Sequence, residues 1–147
     1  MSLVGCSSGR GDVSIDVVHD VCTPITVSSP SATASQLTGI EAAFTVWRGH
    51  GVHTLEPATD GMIEIRFEPA SGLFFGLYDD ENSVIYINEA ITDPAKLSVV
   101  IAHELGHAFG LAHISGRPSL MNPGNTGVLP THEDDAAVLA LWGTCAP

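Results

Sequence analysis

The feature that most constrains this 147-residue chain is one segment of eleven residues, 103–113, which reads HELGHAFGLAH. His103 and His107 are four positions apart on a predicted helix, so both imidazoles project from the same helix face. Two nitrogen donors on a rigid backbone are the beginning of a zinc site. Glu104 points to the adjacent sector, where it can reach an activated water without binding the metal itself.

Gly110 provides a way for His113 to join this pair. A helix that continued to His113 would carry its side chain away from the other two imidazoles. Glycine adopts positive φ without steric cost, so Gly110 can end the helix and reverse the chain. We therefore predict His113 as the third ligand of one zinc ion. Three histidines leave a fourth position open, which is typical of a catalytic rather than a structural site.

Chance remains the competing explanation for any short motif. A lone histidine is usually a surface or core residue, and HExxH also occurs in unrelated proteins. Here five fixed residue types share one window, including the glycine that the geometry requires, which favours the zinc interpretation. The remaining histidines follow no such pattern and are surface residues or neighbours of the site: His19, His50, His53 and His132.

Composition narrows the class of protein. The formal net charge is −12, with 5 Lys plus Arg against 17 Asp plus Glu, so the surface repels phosphate backbones and we expect no nucleic-acid partner. No apolar run approaches the roughly 20 residues of a transmembrane helix. Length and a hydrophobic content of 44% suit one globular domain, which we place at residues 13–147. Residues 1–12 are expected to be a disordered tether or a cloning remnant.

The three cysteines bear on location. Cys22 and Cys145 could form a disulfide between the first predicted strand and the C-terminus, the alternative being unpaired thiols. Cys6 follows Leu3-Val4-Gly5, which is similar to the end of a bacterial lipoprotein signal, so a lipid anchor at Cys6 is one possibility and an unmodified N-terminus the other. Both features favour an extracytoplasmic protein, secreted or lipid-anchored.

Hydrophobic periodicity predicts an α+β domain. We expect a loop or spacer over residues 23–35. The last helix should begin at a capping box formed by Thr131 and Asp134, and Leu37 and Leu141 are assigned to the buried faces of the first and last helices. The predicted strands are 13–21, 62–67, 73–78 and 84–88, and the predicted helices are 35–48, 94 to about 108, and a last one after Thr131.

The long zinc motif and the later segment Ser119-Leu120-Met121-Asn122-Pro123 together resemble metzincins, a clan of zinc peptidases with a turn centred on methionine. Within the clan, residues 43–47, 63–67, 72–78 and 130–143 resemble matrixins. The resemblance implies a twisted mixed sheet packed on an N-terminal helix and the active-site helix, plus a C-terminal helix. It also implies a monomeric zinc endopeptidase in which Met121 forms an apolar floor below the histidines.

In such an enzyme Glu104 is the general base and acid, and a peptide or protein substrate lies along the edge strand 72–78. Some residues depart from the matrixin pattern. Ile114 stands where matrixins usually have serine, and residues 122–125 lack the tyrosine of the matrixin pocket wall, which puts the S1′ preference in doubt. No histidine lies between residues 67 and 84, so a second, structural zinc is not expected. The acidic run at Asp79, Asp80 and Glu81 is either a solvated turn or a calcium site.

Two other functions remain open at this point. One is a zinc-binding module that binds a peptide or partner but hydrolyses nothing, and the other is a lipid-anchored surface protein that uses the fold for adhesion. Glu104 argues for the enzyme, because a purely structural zinc site has no need of a base at that position.

Overall fold

The computed structural model of the protein describes residues 3–5 and 15–146. Its elements are the strands β1 (Leu3–Gly5), β2 (Ile25–Ser28), β3 (Leu55–Pro57), β4 (Ile63–Glu68), β5 (Gly76–Asp79) and β6 (Val84–Asn88), and the helices α1 (Ala34–Arg48), α2 (Pro94–Ala108) and α3 (His132–Trp142). The strands form one mixed sheet in the order β1-β5-β6-β4-β2-β3. Strands β3, β2, β4 and β6 are parallel, whereas β5 is antiparallel to β6 and β1 is antiparallel to β5. The predicted α+β architecture is confirmed.

Helix α2 occupies the centre of the fold. Every residue from Leu97 to Ala108 is buried, because the sheet lies on one side and α1 on the other. Trp47 on α1 donates its indole N–H to the Ala102 carbonyl at 2.9 Å. A Cβ added at Gly39 on α1 would lie 2.6 Å from Leu97 Cδ2, so the absence of a side chain there lets the two helices approach closely.

The helix starts follow the expected capping chemistry. Asp93 accepts a hydrogen bond from the Lys96 amide at 2.9 Å, and Pro94 follows at the first helical position of α2. Thr131 and Asp134 form the predicted capping box of α3. Two predicted core residues are wrong, however. Leu37 and Leu141 are 51% and 50% exposed, because α1 and α3 bury narrower faces than their apolar content suggests.

The N-terminal third differs most from the prediction. Residues 15–21 of the predicted first strand are irregular, and the His19 amide donates to the Ala108 carbonyl at 2.8 Å instead of joining a ladder. The first interior strand is β2, which lies inside the segment predicted as a spacer. Strand β3 was not predicted at all, since it has only three residues and ends in proline.

The sheet edge carries a further difference. Residues 3–5 were expected to belong to a disordered tether, yet their backbone pairs with β5, with Gly5 opposite Leu77 and Leu3 opposite Asp79. Strand β5 begins at Gly76, so residues 73–75 of the predicted edge strand are irregular. Cys6 and its predicted lipid anchor lie outside the described residues.

The predicted disulfide between Cys22 and Cys145 is confirmed, with a Cα–Cα distance of 5.0 Å. Cys22 lies in a turn rather than in a strand, and the bond fixes this turn to the segment after α3. It closes a covalent loop with a sequence separation of 123 residues. None of the described helices has the length and apolarity needed to cross a membrane.

We expect that replacing Cys22 and Cys145 together by serine lowers the free energy of unfolding by about 4–5 kcal/mol. Loop-closure entropy in the unfolded chain grows with loop length, and this loop spans most of the molecule. Urea unfolding of the oxidised protein and of the double variant measures the difference. Reductant should destabilise the parent protein and leave the variant unchanged, and equal stability of the two proteins would contradict the prediction.

Candidate active site

Three imidazoles converge at the C-terminal half of α2. His103 and His107 project from the helix, and their Nε2 atoms lie 3.3 Å and 3.1 Å from Nε2 of His113. His103 and His107 are 1% and 0% exposed, while His113 is partly exposed. Among the described residues, this trio is the one cluster of three or more His, Cys, Asp or Glu with ligand atoms all within 4.8 Å of one another.

The reversal at Gly110 brings His113 to the pair, as the sequence predicts. Gly110 has φ of +100°, in the left-handed region that favours glycine. The Gly110 amide donates to the His107 carbonyl and the Leu111 amide to the Gly106 carbonyl, both at 2.9 Å. This pair of hydrogen bonds is the Schellman arrangement that ends a helix.

Backbone carbonyls orient the two buried imidazoles. His103 donates from Nδ1 to the Leu120 carbonyl at 2.6 Å, and His107 donates from Nδ1 to the Leu111 carbonyl at 2.7 Å. The proton on Nδ1 leaves the lone pair of each Nε2 directed into the cluster. Burial lowers the pKa of His103 to about 4 and that of His107 well below its ordinary value. Both rings are therefore neutral, which is the form that binds metal.

The chain next to His113 is held by the backbone of the following turn. The Ile114 amide donates to the Met121 carbonyl at 3.0 Å. Asn122 returns two hydrogen bonds from its side-chain amide, to the carbonyls of Ile114 and Arg117, each at 2.8 Å. Position 114 contributes only backbone groups to these bonds, so they do not require a particular side chain there.

Met121 is fully buried against α2. A Cβ built on Gly106 would lie 2.5 Å from Met121 Sδ and 3.3 Å from the Trp47 ring. Glycine at position 106 therefore makes room for the methionine side chain at the helix turn that carries His107.

Asp134 links this region to α3. Its carboxylate, 1% exposed, accepts hydrogen bonds from the Ser119 hydroxyl at 2.5 Å, the Leu120 amide at 3.0 Å and the Thr131 amide at 2.9 Å. Burial alone would raise the pKa of Asp134, but these hydrogen bonds and the cation of Arg117 hold it below the ordinary value. Sequence reasoning assigned Asp134 only a capping role, although its carboxylate also fixes the turn that contains Met121.

Glu104 lies under the start of β5. It is fully buried, and a Cβ on Gly76 would come within 3.1 Å of its Cγ and Oε1. The lack of a side chain at Gly76 thus leaves space for the carboxylate between α2 and the strand.

The other predicted site residues lie apart from the trio. Asp79 and Asp80 are buried, at 5% and 0% exposed, whereas Glu81 is exposed, so only part of the acidic run is solvated. Asp79 accepts from the Glu81 and Asn82 amides, and Asp80 accepts from the Asp16 amide. Of the remaining histidines, three have side-chain partners: Ser83 for His19, and Asp135 for both His50 and the exposed His132. His53 is exposed.

The chemistry of the donors fits a zinc ion. The cluster offers three nitrogen donors, two of them on neutral rings fixed in orientation by backbone carbonyls. Among the described residues, no fourth cysteine or histidine joins the cluster to close the coordination shell. His103, His107 and His113 are therefore suited to hold the metal.

Comparisons with known proteins agree with this chemistry. The family model described as Matrixin matches residues 67–143, just over half of the chain. A crystal structure of myroilysin matches at 14% sequence identity with a TM-score of 0.63, covering 93% of this chain and 94% of that chain. At this identity the structural likeness shows the fold alone. No curated protein sequence gives a significant match.

We expect Gly106→Ala to destabilise the protein by about 1–3 kcal/mol, because the added methyl overlaps the buried Met121 side chain and overpacks the core. Urea unfolding with the metal removed measures this effect. The matched control is Gly127→Ala, where a Cβ meets no atom within 4 Å. Equal stability of the two variants would contradict the packing argument.

Asp134→Asn should lower the free energy of unfolding by about 2–4 kcal/mol at pH 7, because an amide cannot accept every hydrogen bond that the buried carboxylate accepts. Since folding lowers the pKa of Asp134, its contribution is complete above the unfolded pKa of about 3.9 and is lost as the pH falls through the folded pKa. The difference between the variant and the parent should therefore shrink below about pH 4.

Asp135→Asn is the matched control for that experiment, with the same charge change one position along α3. Asp135 pairs with His50 at the partly exposed surface, so its replacement should have the smaller effect. Urea unfolding across this pH range measures both variants. A larger loss for Asp135→Asn would show that the buried network is not the main stabilising contact.

Proposed function

Because the chain belongs to the matrixin family and is thus a zinc metalloendopeptidase, we propose that it hydrolyses internal peptide bonds with Glu104 as general base and acid. His103, His107 and His113 would hold the zinc ion. The observation that carries this assignment is the convergence of three Nε2 atoms, two of them on rings whose Nδ1 protons are fixed by backbone carbonyls. A bound zinc supplies a Lewis acid that activates water and polarises the scissile carbonyl.

Glu104 is suited to move the proton. It follows His103 directly on α2, so its carboxylate would lie beside the imidazole trio while the imidazoles would occupy the coordinating positions. It would accept a proton from the attacking water and then deliver it to the leaving amine. Its burial beneath Gly76 would keep bulk water from competing for that proton.

Strand β5 is the proposed substrate-binding edge. Its outer side accepts an antiparallel strand, since β1 pairs there from Leu77 to Asp79. An extended peptide that took the place of β1 and ran in the same direction would gain backbone hydrogen bonds and pass over Gly76 and the buried carboxylate of Glu104. This geometry would bring an internal peptide bond, rather than a chain end, to the histidines.

We also propose an extracytoplasmic location. A disulfide that joins the two ends of the domain persists in an oxidising compartment, whereas cytosolic thiols are kept reduced. The Cys22–Cys145 bond supports this proposal.

The decisive test is Glu104→Gln. We expect this variant to keep one zinc per chain and to lose about 10²- to 10⁴-fold in kcat/KM on an internally quenched peptide library, because general acid-base catalysis contributes about that much. Metal analysis and fluorescence assays, each with and without chelator, provide the two measurements.

Glu89→Gln, at an exposed position, is the charge-matched control and should leave kcat/KM unchanged. If the parent protein binds zinc and cleaves no peptide, it is a binding module rather than a peptidase. Full activity of the Glu104→Gln variant would remove Glu104 from the mechanism.

A further inference from the structure

A cavity of about 350 Å³ opens beside the start of β5. Its lining includes Gly72 and Phe75 from the segment before the strand, Asn88 at the end of β6, and Asp93 and Lys96 from the start of α2. Apart from the predicted edge strand 72–78 and the helix start at Asp93, none of these residues was assigned a role from the sequence. The cavity has an aromatic wall and one cationic group, which is the composition of a pocket for a particular side chain.

The cavity and the histidines lie along the same face of α2. Lys96 precedes His103 by seven residues, which is two helical turns, so both lie on one face of α2. The distance between them along the helix axis is about 10 Å at 1.5 Å per residue. An extended peptide covers that distance in about three residues.

Phe75 connects the cavity to the site from the strand side. Phe75 directly precedes Gly76, the residue that covers Glu104. On its other side, the Phe75 ring lies 3.9 Å from the Cβ position of Gly124, which belongs to the segment after Met121. The cavity is therefore contiguous with the proposed substrate path.

The charge of Lys96 is available to a substrate. The other described Lys and Arg residues are in ion pairs: Arg48 with Glu41, Arg66 with Glu64 and Arg117 with Asp134. Within residues 3–5 and 15–146, Lys96 is the one cationic side chain of this kind without such a partner, and its Nζ lies 4.9 Å from the Phe75 ring centroid. Asp93 also lines the cavity, but its carboxylate caps α2, where the helix dipole offsets its charge.

The direction of the substrate follows from strand addition. A peptide antiparallel to β5 runs from Asp79 towards Gly72, so the residues after the scissile bond approach the cavity. Side chains alternate along an extended chain, so the first and third residues after that bond share the face towards α2. The pocket therefore receives a side chain of the leaving-group half.

We propose that Lys96 and Phe75 form a specificity pocket for an acidic side chain, Asp or Glu, at the first or third residue after the scissile bond. This inference rests on the peptidase function proposed above. The chain as a whole is strongly acidic, with a formal net charge of −12, so its surface repels acidic peptides in general. Lys96 provides a local attraction for an acidic side chain of the substrate. The methylene groups of the substrate side chain would pack on the Phe75 ring.

The experiment measures kcat/KM of the full chain with zinc on quenched peptides that differ only in Glu, Gln, Lys or Leu at each of the three positions after the cleaved bond. All peptides are amidated, so a terminal carboxylate cannot contribute. The parent protein should prefer Glu over Gln by about two- to fivefold at the first or third position, in the range of a partly exposed ion pair.

Lys96→Gln should abolish that preference, because kcat/KM for the Glu peptide falls relative to that for the Gln peptide. Lys96→Arg should keep the preference, and Lys96→Glu should favour the Lys peptide. Arg66→Gln is the matched control, because it makes the same charge change at the surface of β4. An equal loss of preference in the two Gln variants would reduce the effect to net charge and overturn the proposal.

Two further results would also overturn it. The first is an unchanged Glu preference in Lys96→Gln. The second is a preference for Leu that depends on Phe75 and not on Lys96, as shown by Phe75→Ala. If the parent protein cleaves no peptide of any sequence, the peptidase function itself fails, and that outcome is distinct from cleavage without acidic preference.

Discussion

Two hydrogen bonds from imidazole rings to backbone carbonyls determine how this molecule is organised around its site. His103 is bonded to the carbonyl of Leu120 and His107 to that of Leu111. Each bond fixes a ring and also fixes the loop that supplies the carbonyl. The histidines and the turn around Met121 consequently form one unit, and a shift of either loop would misdirect a nitrogen donor.

The sheet and α1 provide the rigid support that such a unit requires. Close approach is achieved where side chains are absent, at Gly39 between the helices, at Gly106 against Met121 and at Gly76 above Glu104. Asp134 completes the support from α3 by a buried and fully hydrogen-bonded carboxylate. Its bonds replace the hydration that a buried charge loses, so the polar contact costs little and gives the turn one defined position.

Local signals account for what the sequence predicts well. The proline start of α2, the glycine reversal at Gly110 and the spacing of the histidines each depend on residues within one or two helical turns, and the structure contains all three features. Strands β2 and β3 are short and are stabilised by pairing with parallel neighbours. Their sequences are too short to show a hydrophobic periodicity that would predict them. The cavity with Lys96 and Phe75 also requires the fold, because two helical turns and a sheet edge must be assembled before those residues meet. From the sequence alone, only the seven-residue spacing of Lys96 and His103 indicates that the two side chains share one helix face.

The disulfide between Cys22 and Cys145 affects what happens when one copy of the peptidase cleaves another. A peptidase at high concentration meets its own surface loops as substrates. Any single cut between residues 22 and 145 leaves two pieces that stay covalently joined through that bond. After such a cut the two fragments remain one covalent molecule, so the cleaved protein does not lose either fragment by dissociation.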